Sequence, residues 1–288
     1  MLAAIPIPKA LGLAALLAGF TLAENLKPRI TSQSLSGCKQ RSCWAHEDVL
    51  GSVPGFAATA IIAHLLKVPK MTCEFYWISG SPFAWRAHLA LEYKDIPYRS
   101  HLLKASEGEH EAPEFLRLNP RGRVPVLKDD ESVLHESVAI LAYLDARYPK
   151  PRLFGSNPAE TGFIWQRVHE IENYARNPFL RVAIAIMNAD ITERPDETRE
   201  LLDLCREQLD WIEGVLSESQ WIAGASVSAA DFVLYPVLMI FLRATRRPVA
   251  EALELAAAPF AKKWPITAQW VAQIEKMKGY NNTYPPHW

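Results

Sequence analysis

The chain has 288 residues, of which 49% are apolar and 22% are charged, and its formal net charge is −1. So much apolar material excludes a chain that is disordered throughout, and the balanced charge argues against a nucleic-acid partner bound by bulk electrostatics. Four cysteines are too few for a disulfide scaffold of this length. The length fits one large domain or two smaller ones.

The first seventy residues differ in character from the rest. Residues 10–23 (ALGLAALLAGFTLA) are uncharged, as in the hydrophobic region of a secretory signal peptide, and a second uncharged run covers residues 49–66. We expect residues 1–70 to lie outside the main fold, as a cleaved or anchoring leader, an organelle transit segment, or sequence upstream of the true start. Membrane association is expected only if residues 1–66 are retained.

The cysteines do not predict a metal site. Cys38, Cys43 and His46 lie close together, but a structural zinc ion needs four ligands and no fourth is evident. We expect no metal cofactor. Cys73 lies in a strand-like segment and is interpreted as a small buried apolar residue.

Residues 71–151 alternate between strand and helix patterns. Cys73–Ile78 is aromatic and β-branched, as is typical of a strand, and Ile96–Leu103 is a second such segment. Between them a helix starts at Pro82, whose missing N–H costs nothing in a first turn. A short helix, two strands and a helix from about Glu136 complete the order. This layout is thioredoxin-like, so we predict an α/β domain over residues 71–151.

Residues 157–288 contain no convincing strand, so we predict an all-helical second domain. Apolar residues recur at helical spacing over Thr161–Ala189 and over Pro195–Leu216. Ser228 and Asp231 have the spacing of a capping box at the start of a further, nearly all-apolar helix.

Four segments in this order and spacing resemble the cytosolic glutathione S-transferase family. They are SGSPFAWRAHLALEYK at residues 79–94, NPRGRVPVL at 119–127, Glu136-Ser137 at the start of a helix, and SVSAADF at 226–232. The resemblance covers about residues 71–288 and is to serine-type members with a tau- or zeta-like N-terminal motif. It implies an α/β thioredoxin-like N-terminal domain that binds glutathione, an all-α helical C-terminal domain, and a homodimer.

The resemblance places Ser81 where serine-type members stabilise the thiolate of bound glutathione. Ser81 follows the first strand and precedes a helix, whose N-terminus favours negative charge. Ser79 is the alternative thiol activator, and plain helix capping by Ser81 is the structural alternative. Omega-class relatives carry Cys at the position of Ser81, so the serine favours conjugation over thiol–disulfide exchange.

Five further residues correspond to the family's glutathione-binding positions. Val124-Pro125 resembles its cis-proline step, which leaves the Val124 N–H and C=O free to pair with the glutathione backbone; an ordinary bulge proline is the alternative. Arg123 is expected at the glycyl carboxylate, or else as a solvated turn residue. Ser137 is expected to bind the γ-glutamyl carboxylate and Glu136 its ammonium group, with helix capping as the alternative.

The second substrate is expected between the two domains, against the helical half. Phe83, Trp165, Tyr174 and Arg176 are the candidates for this electrophile site, and ordinary core packing is the alternative for each.

The resemblance implies a glutathione transferase of detoxification type, which attacks an electrophilic small molecule with the glutathione thiolate. Glutathione-dependent isomerisation, dehalogenation or peroxide reduction are variants of this chemistry. The alternative is a non-catalytic protein of the same fold that binds glutathione or another ligand, or serves in an assembly. We expect a cytoplasmic location, with secretion or anchoring through the N-terminal apolar segment as the alternative.

Overall fold

The computed structural model describes residues 73–188, 195–251 and 260–288. The expectations for residues 1–70, including the Cys38, Cys43 and His46 group, lie outside these residues. No helix in the described ranges is long and apolar enough to cross a membrane. The division into domains over 71–151 and 157–288 stays a prediction.

The first part of the fold is a four-stranded mixed sheet with helices. In chain order its elements are β1 (Cys73–Trp77), α1 (Pro82–Tyr93), β2 (Arg99–Leu102), α2 (Pro113–Leu116), β3 (Val126–Asp129), β4 (Ser132–His135) and α3 (Ser137–Arg147). The strand order is β2-β1-β3-β4, with β1 and β2 parallel and the other pairs antiparallel. The predicted thioredoxin-like order of strands and helices is confirmed.

Strand β2 starts three residues later than the apolar pattern predicts. Asp95 has a φ of 56° and ends α1, and the Ile96 N–H donates back to the Leu91 carbonyl at 3.0 Å. Such a left-handed residue with a backward bond is a standard helix C-terminus. Pro97 has no N–H for a strand ladder, so Ile96 serves the end of the helix and the strand begins at Arg99.

The second part of the described chain is helical, as predicted. Its elements are α4 (Pro158–Glu170), a π-helix (Ile171–Ala175), α5 (Arg176–Met187), α6 (Pro195–Glu218), α7 (Ala229–Ala244), α8 (Pro248–Glu251), α9 (Phe260–Lys263), α10 (Pro265–Glu275) and α11 (Tyr280–Thr283). The sequence pattern did not predict the π-helix. Pro178 cannot donate to the carbonyl of Tyr174, four residues earlier, which fits a local widening of the helix there.

Helix α7 lies at the centre of the core, and α1 and α5 pack against it. Every side chain from Ala229 to Leu242 is buried. The predicted capping box is present at its start: the Asp231 carboxylate accepts from both the backbone N–H and the hydroxyl of Ser228, each at 2.9 Å. Asp231 also accepts from the Ile222 N–H at 3.0 Å and the Trp270 indole N–H at 2.9 Å, so it ties α7 to α10.

A buried ion pair fixes α1 against α3 at the ends farthest from their first turns. The Lys94 ammonium donates to Asp145 at 2.9 Å and to the carbonyls of Tyr148 and Pro151 at 2.8 and 2.5 Å. Asp145 in turn accepts from the Leu153 N–H at 2.6 Å. Because each charge has several partners, the pair holds both helices in one register.

Candidate functional site

Ser81 is the N-cap residue of α1. Its Oγ accepts a hydrogen bond from the Ala84 N–H at 3.3 Å, and its carbonyl accepts from Trp85 at 3.0 Å. Gly80, which precedes it, has a φ of +83° that a residue with a side chain rarely adopts. No group within the described residues accepts the hydroxyl hydrogen of Ser81. Capping uses a lone pair of the oxygen, so the hydrogen stays available for donation.

Ser79, the alternative thiol activator, already has a partner. Its Oγ lies 2.6 Å from the Nδ1 atom of His287. These two residues are 208 positions apart, and no local pattern near either of them points to the contact. The sequence alone indicates only a surface or packed residue at His287 and does not predict its contact with Ser79.

The Val124-Pro125 bond is cis, as the resemblance implies. Within the described residues, the N–H and C=O of Val124 take part in no backbone hydrogen bond. Val126 pairs with Tyr76 in the antiparallel β1–β3 ladder, so Val124-Pro125 lies just before β3 at the end of the sheet where β1 leads towards Ser81. The arrangement leaves one free donor and one free acceptor beside the β1–α1 corner.

Arg123 precedes this step and is exposed. Its carbonyl accepts from the Asn119 side-chain amide at 2.7 Å, which holds the backbone of the turn while the guanidinium group faces solvent. The side chain is thus in a position to meet an anion, and a solvated turn residue remains the alternative.

Glu136 and Ser137 lie where β4 passes into α3, and the helix begins at Ser137 rather than Glu136. Glu136 has φ 74° and ψ 108°, outside the right-handed helical region, so it is the N-cap residue. Because His135 pairs with Val126, these two residues lie at the same end of the sheet as Val124-Pro125. The structure therefore brings together three of the predicted segments: the corner at Ser81, the Val124-Pro125 step and Glu136-Ser137.

Arg86 is a buried arginine that connects this site to the helical core. Only 1% of it is exposed. It donates to the Val233 carbonyl at 3.1 Å and to the Ser137 hydroxyl at 3.4 Å, and it pairs with Glu172 at 2.7 Å. Burial lowers the pKa of Arg86 to about 10, which leaves it charged at neutral pH. A charged residue among the apolar positions of α1 was the available sequence signal for this role.

Two of the four electrophile-site candidates meet around Arg86. The Phe83 ring centroid lies 5.1 Å from the Arg86 guanidinium carbon, and Arg176 lies 3.4 Å from Glu172. Phe83 and Arg176 are thus connected through one ion pair, beside the first turn of α1.

The other two candidates have different surroundings. Trp165 packs against Phe154 and His169, with ring centroids 4.8 and 5.9 Å apart, as a packing residue does. Tyr174 lies in the π-helix and is 63% exposed. The electrophile roles of all four residues stay predictions.

Cys73 is not a candidate nucleophile. It is 2% exposed, and burial raises the pKa of its thiol to about 12, which keeps it protonated. The interpretation as a small buried apolar residue is confirmed. Among the described residues, no group of His, Cys, Asp and Glu is arranged to hold a metal ion.

Two family models match this chain. The model described as "Glutathione S-transferase, N-terminal domain" matches residues 80–147, which include the candidate glutathione-binding segments. The model described as "Glutathione S-transferase, C-terminal domain" matches residues 195–273.

Individual relatives agree with the family models. The chain is 33% identical over 173 residues to "Glutathione S-transferase A" of Pleuronectes platessa, an alignment covering 58% of this chain and 76% of the relative. It is 32% identical over 187 residues to "Maleylacetoacetate isomerase" of Pseudomonas aeruginosa, covering 57% and 79%. A crystal structure of a glutathione S-transferase from Laternula elliptica superposes with a TM-score of 0.64 at 26% identity, covering 75% of this chain and 94% of the other. The expected fold, family and class of enzyme are confirmed: the chain belongs to the glutathione S-transferase family.

Proposed function

We propose that this enzyme activates the thiol of glutathione with the Ser81 hydroxyl and transfers the thiolate to an electrophilic small molecule. One observation carries the proposal: the Ser81 oxygen caps α1 while its hydrogen has no acceptor among the described residues. A thiolate placed at this corner receives that hydrogen bond and lies at the positive end of the helix. Both effects favour the charged form and so lower the pKa of the thiol below its ordinary value of about 8.5.

The proposed docking of glutathione uses the three segments at the same end of the sheet. The free Val124 N–H and C=O pair with the cysteinyl backbone, in the manner of an added strand. Ser137, at the first turn of α3, takes the γ-glutamyl carboxylate, and the exposed Glu136 carboxylate takes its ammonium group. Arg123 takes the glycyl carboxylate.

Isomerisation is the second candidate, and the similarity to the Pseudomonas aeruginosa relative named as an isomerase favours it. The same thiolate would add to a carbon–carbon double bond, allow rotation about the resulting single bond, and leave again. Glutathione is then regenerated, whereas conjugation consumes it. Following glutathione and substrate concentrations together separates the two reactions.

The experiment that tests the proposal compares Ser81→Ala with Ser79→Ala on a panel of electrophiles. We expect Ser81→Ala to keep glutathione affinity within about twofold and to lose about 10²-fold or more in kcat, the usual cost of one donor to a developing anion. Ser79→Ala should retain most of its kcat. Full activity in Ser81→Ala contradicts the proposal, and retention of wild-type protein on a glutathione resin without turnover of any electrophile supports the non-catalytic alternative.

Two further proposals rest on the family resemblance alone. They are a homodimer, which light scattering of the purified protein tests, and a cytoplasmic location, which cell fractionation tests. Intact-mass measurement of the native protein determines whether residues 1–70 are retained.

A further inference from the structure

The first turn of α1, which follows Ser81, is held by few contacts of its own. The cap bond from the Ala84 N–H to the Ser81 Oγ is long, at 3.3 Å, and Pro82 has no N–H to donate. The turn contains no acidic residue that could complete a capping box. The Trp85 N–H donates to the Ser81 carbonyl at 3.0 Å and so closes the turn. The orientation of Ser81 therefore depends on where Trp85 is held.

The side chain of Trp85 is anchored in the helical part of the chain. Only 3% of this residue is exposed. Its indole N–H donates to the Thr283 hydroxyl of α11 at 2.8 Å, and its ring meets the Tyr235 ring of α7 edge-on, with the centroids 5.4 Å apart. A buried indole N–H needs an acceptor, so the bond to Thr283 fixes both the position and the rotation of the ring.

The anchor at Thr283 is itself held by other hydrogen bonds. The Thr283 hydroxyl donates its hydrogen to the Tyr280 carbonyl at 2.8 Å, which leaves a lone pair of the oxygen for the Trp85 indole. The Tyr280 hydroxyl lies 2.6 Å from the hydroxyl of Tyr235, and this contact fastens α11 to α7. A continuous series of hydrogen bonds thus connects the central helix α7 with the residue that closes the first turn of α1.

We infer that Trp85 is a positioning residue for the activation of the thiol at Ser81. The inference rests on the proposed function, because it takes the glutathione sulfur to accept the Ser81 hydrogen. Trp85 joins two fixed points: its backbone N–H holds the Ser81 carbonyl, and its indole N–H holds Thr283. A hydrogen bond weakens steeply as its angle departs from linear. A small tilt of the first turn therefore weakens donation to the thiolate and leaves the other contacts of glutathione in place.

The test is the pKa of the glutathione thiol bound to the full chain, followed by thiolate absorbance over pH, in Thr283→Val, Trp85→Phe and the double variant. Valine removes the acceptor at nearly constant shape, and phenylalanine removes the donor but keeps an aromatic ring. We expect each single change to raise the pKa of the bound thiol by about half a unit, or about threefold in its ionisation constant. The double variant should be no worse than either, because both changes remove the same hydrogen bond. Thr283→Ser keeps the hydroxyl and should keep the wild-type pKa.

Two control variants separate this role from a general loosening of the protein. Thr267→Val removes another fully buried threonine hydroxyl, which donates to Glu213 of α6 at 2.6 Å. Asn282→Ala removes one exposed hydrogen bond from α11, of 2.8 Å to Glu92 at the far end of α1. Both should leave the pKa of the bound thiol unchanged, although Thr267→Val should lower stability in urea as Thr283→Val does. Glutathione affinity, measured at a pH low enough to protonate the thiol, should stay unchanged in every variant.

The outcomes separate this inference from the proposed function. If the wild-type protein does not bind glutathione, or binds it without lowering the pKa of its thiol, both are overturned. If Ser81→Ala raises that pKa but Thr283→Val and Trp85→Phe do not, the positioning role alone is overturned. It is also overturned if Thr267→Val raises the pKa as much as Thr283→Val, or if Thr283→Ser fails to keep the wild-type value.

Discussion

In the part of the chain that the structure describes, two helices start with a serine as N-cap residue, Ser81 at α1 and Ser228 at α7, and the two serines have very different surroundings. Ser228 is 3% exposed and both its N–H and its hydroxyl donate to the fully buried Asp231. Ser81 is half-buried, accepts one hydrogen bond of 3.3 Å, and lacks an acceptor for its hydroxyl within the described residues.

The difference shows how one residue type at one position in a helix can complete a buried structural contact at one helix and, in the proposed function, serve chemistry at another. At α7 the hydrogen-bonding capacity of the cap is used inside the protein, where an unpaired group would be costly. At α1 the hydroxyl hydrogen of the cap has no acceptor among the described residues, and in the proposed function glutathione supplies one. The distinction lies in the neighbours: an acidic residue three positions on completes the box at Ser228, whereas Ala84 stands there at Ser81.

The largest effect on stability is expected from Asp231→Ala, which removes the acceptor of the buried capping box at Ser228. The change leaves the N–H groups of Ile222, Ser228 and Trp270 without their acceptor. Each unmet buried donor costs about 1–3 kcal/mol, so we expect a loss of about 3 kcal/mol or more in the free energy of unfolding. Urea unfolding measures it. A loss below about 1 kcal/mol would show that the box contributes little.

A smaller loss of stability is expected from Arg86→Lys, which weakens the contacts that the Arg86 side chain makes between α1, α3 and α7. Lysine keeps a positive charge near Glu172 but cannot span Val233 and Ser137 together. We expect a loss of about 2 kcal/mol in stability and a severalfold loss of glutathione affinity through Ser137.

Arg206→Lys is the control for this change, because its pair with Asp203 lies one turn apart on an exposed helix face and should contribute little. Urea unfolding and glutathione calorimetry are run on both variants. If Arg86→Lys behaves like Arg206→Lys, the contacts of Arg86 have no energetic role.

The smallest effect is expected from Ser228→Ala. Its loss of a cap should lower stability by about 1 kcal/mol, with Asp231 still bound to its other donors. The kcat of the folded enzyme should not change, in contrast to Ser81→Ala. A fall in kcat for Ser228→Ala, measured at a temperature well below its unfolding midpoint, would contradict a purely structural role for Ser228.

Local patterns predict much of this fold, because the strand and helix periods, the proline at the start of α1 and the Ser228–Asp231 spacing act over a few residues. The predicted start of β2 was wrong because the Ile96 N–H donates to the Leu91 carbonyl, so Ile96 belongs to the C-terminal end of α1. The π-helix was missed because its neighbourhood has ordinary helical spacing.

At the site, the sequence does not predict the contacts between residues that lie far apart along the chain. The position of His287 at Ser79 depends on how the whole helical region returns to the first strand. Likewise, the sequence pattern predicts that Arg86 lies in a helix, but its role depends on α7 and the π-helix packing around it.

The most direct test of the central claim is the pKa of the glutathione thiol bound to wild-type enzyme and to Ser81→Ala, followed by thiolate absorbance over pH. If Ser81 donates to the sulfur, the bound thiol ionises well below the ordinary value of about 8.5 in the wild type and moves back towards it in the variant. The pH–rate profile of the variant should shift to higher pH together with the pKa of the bound thiol. An equally low pKa in both proteins would contradict the account.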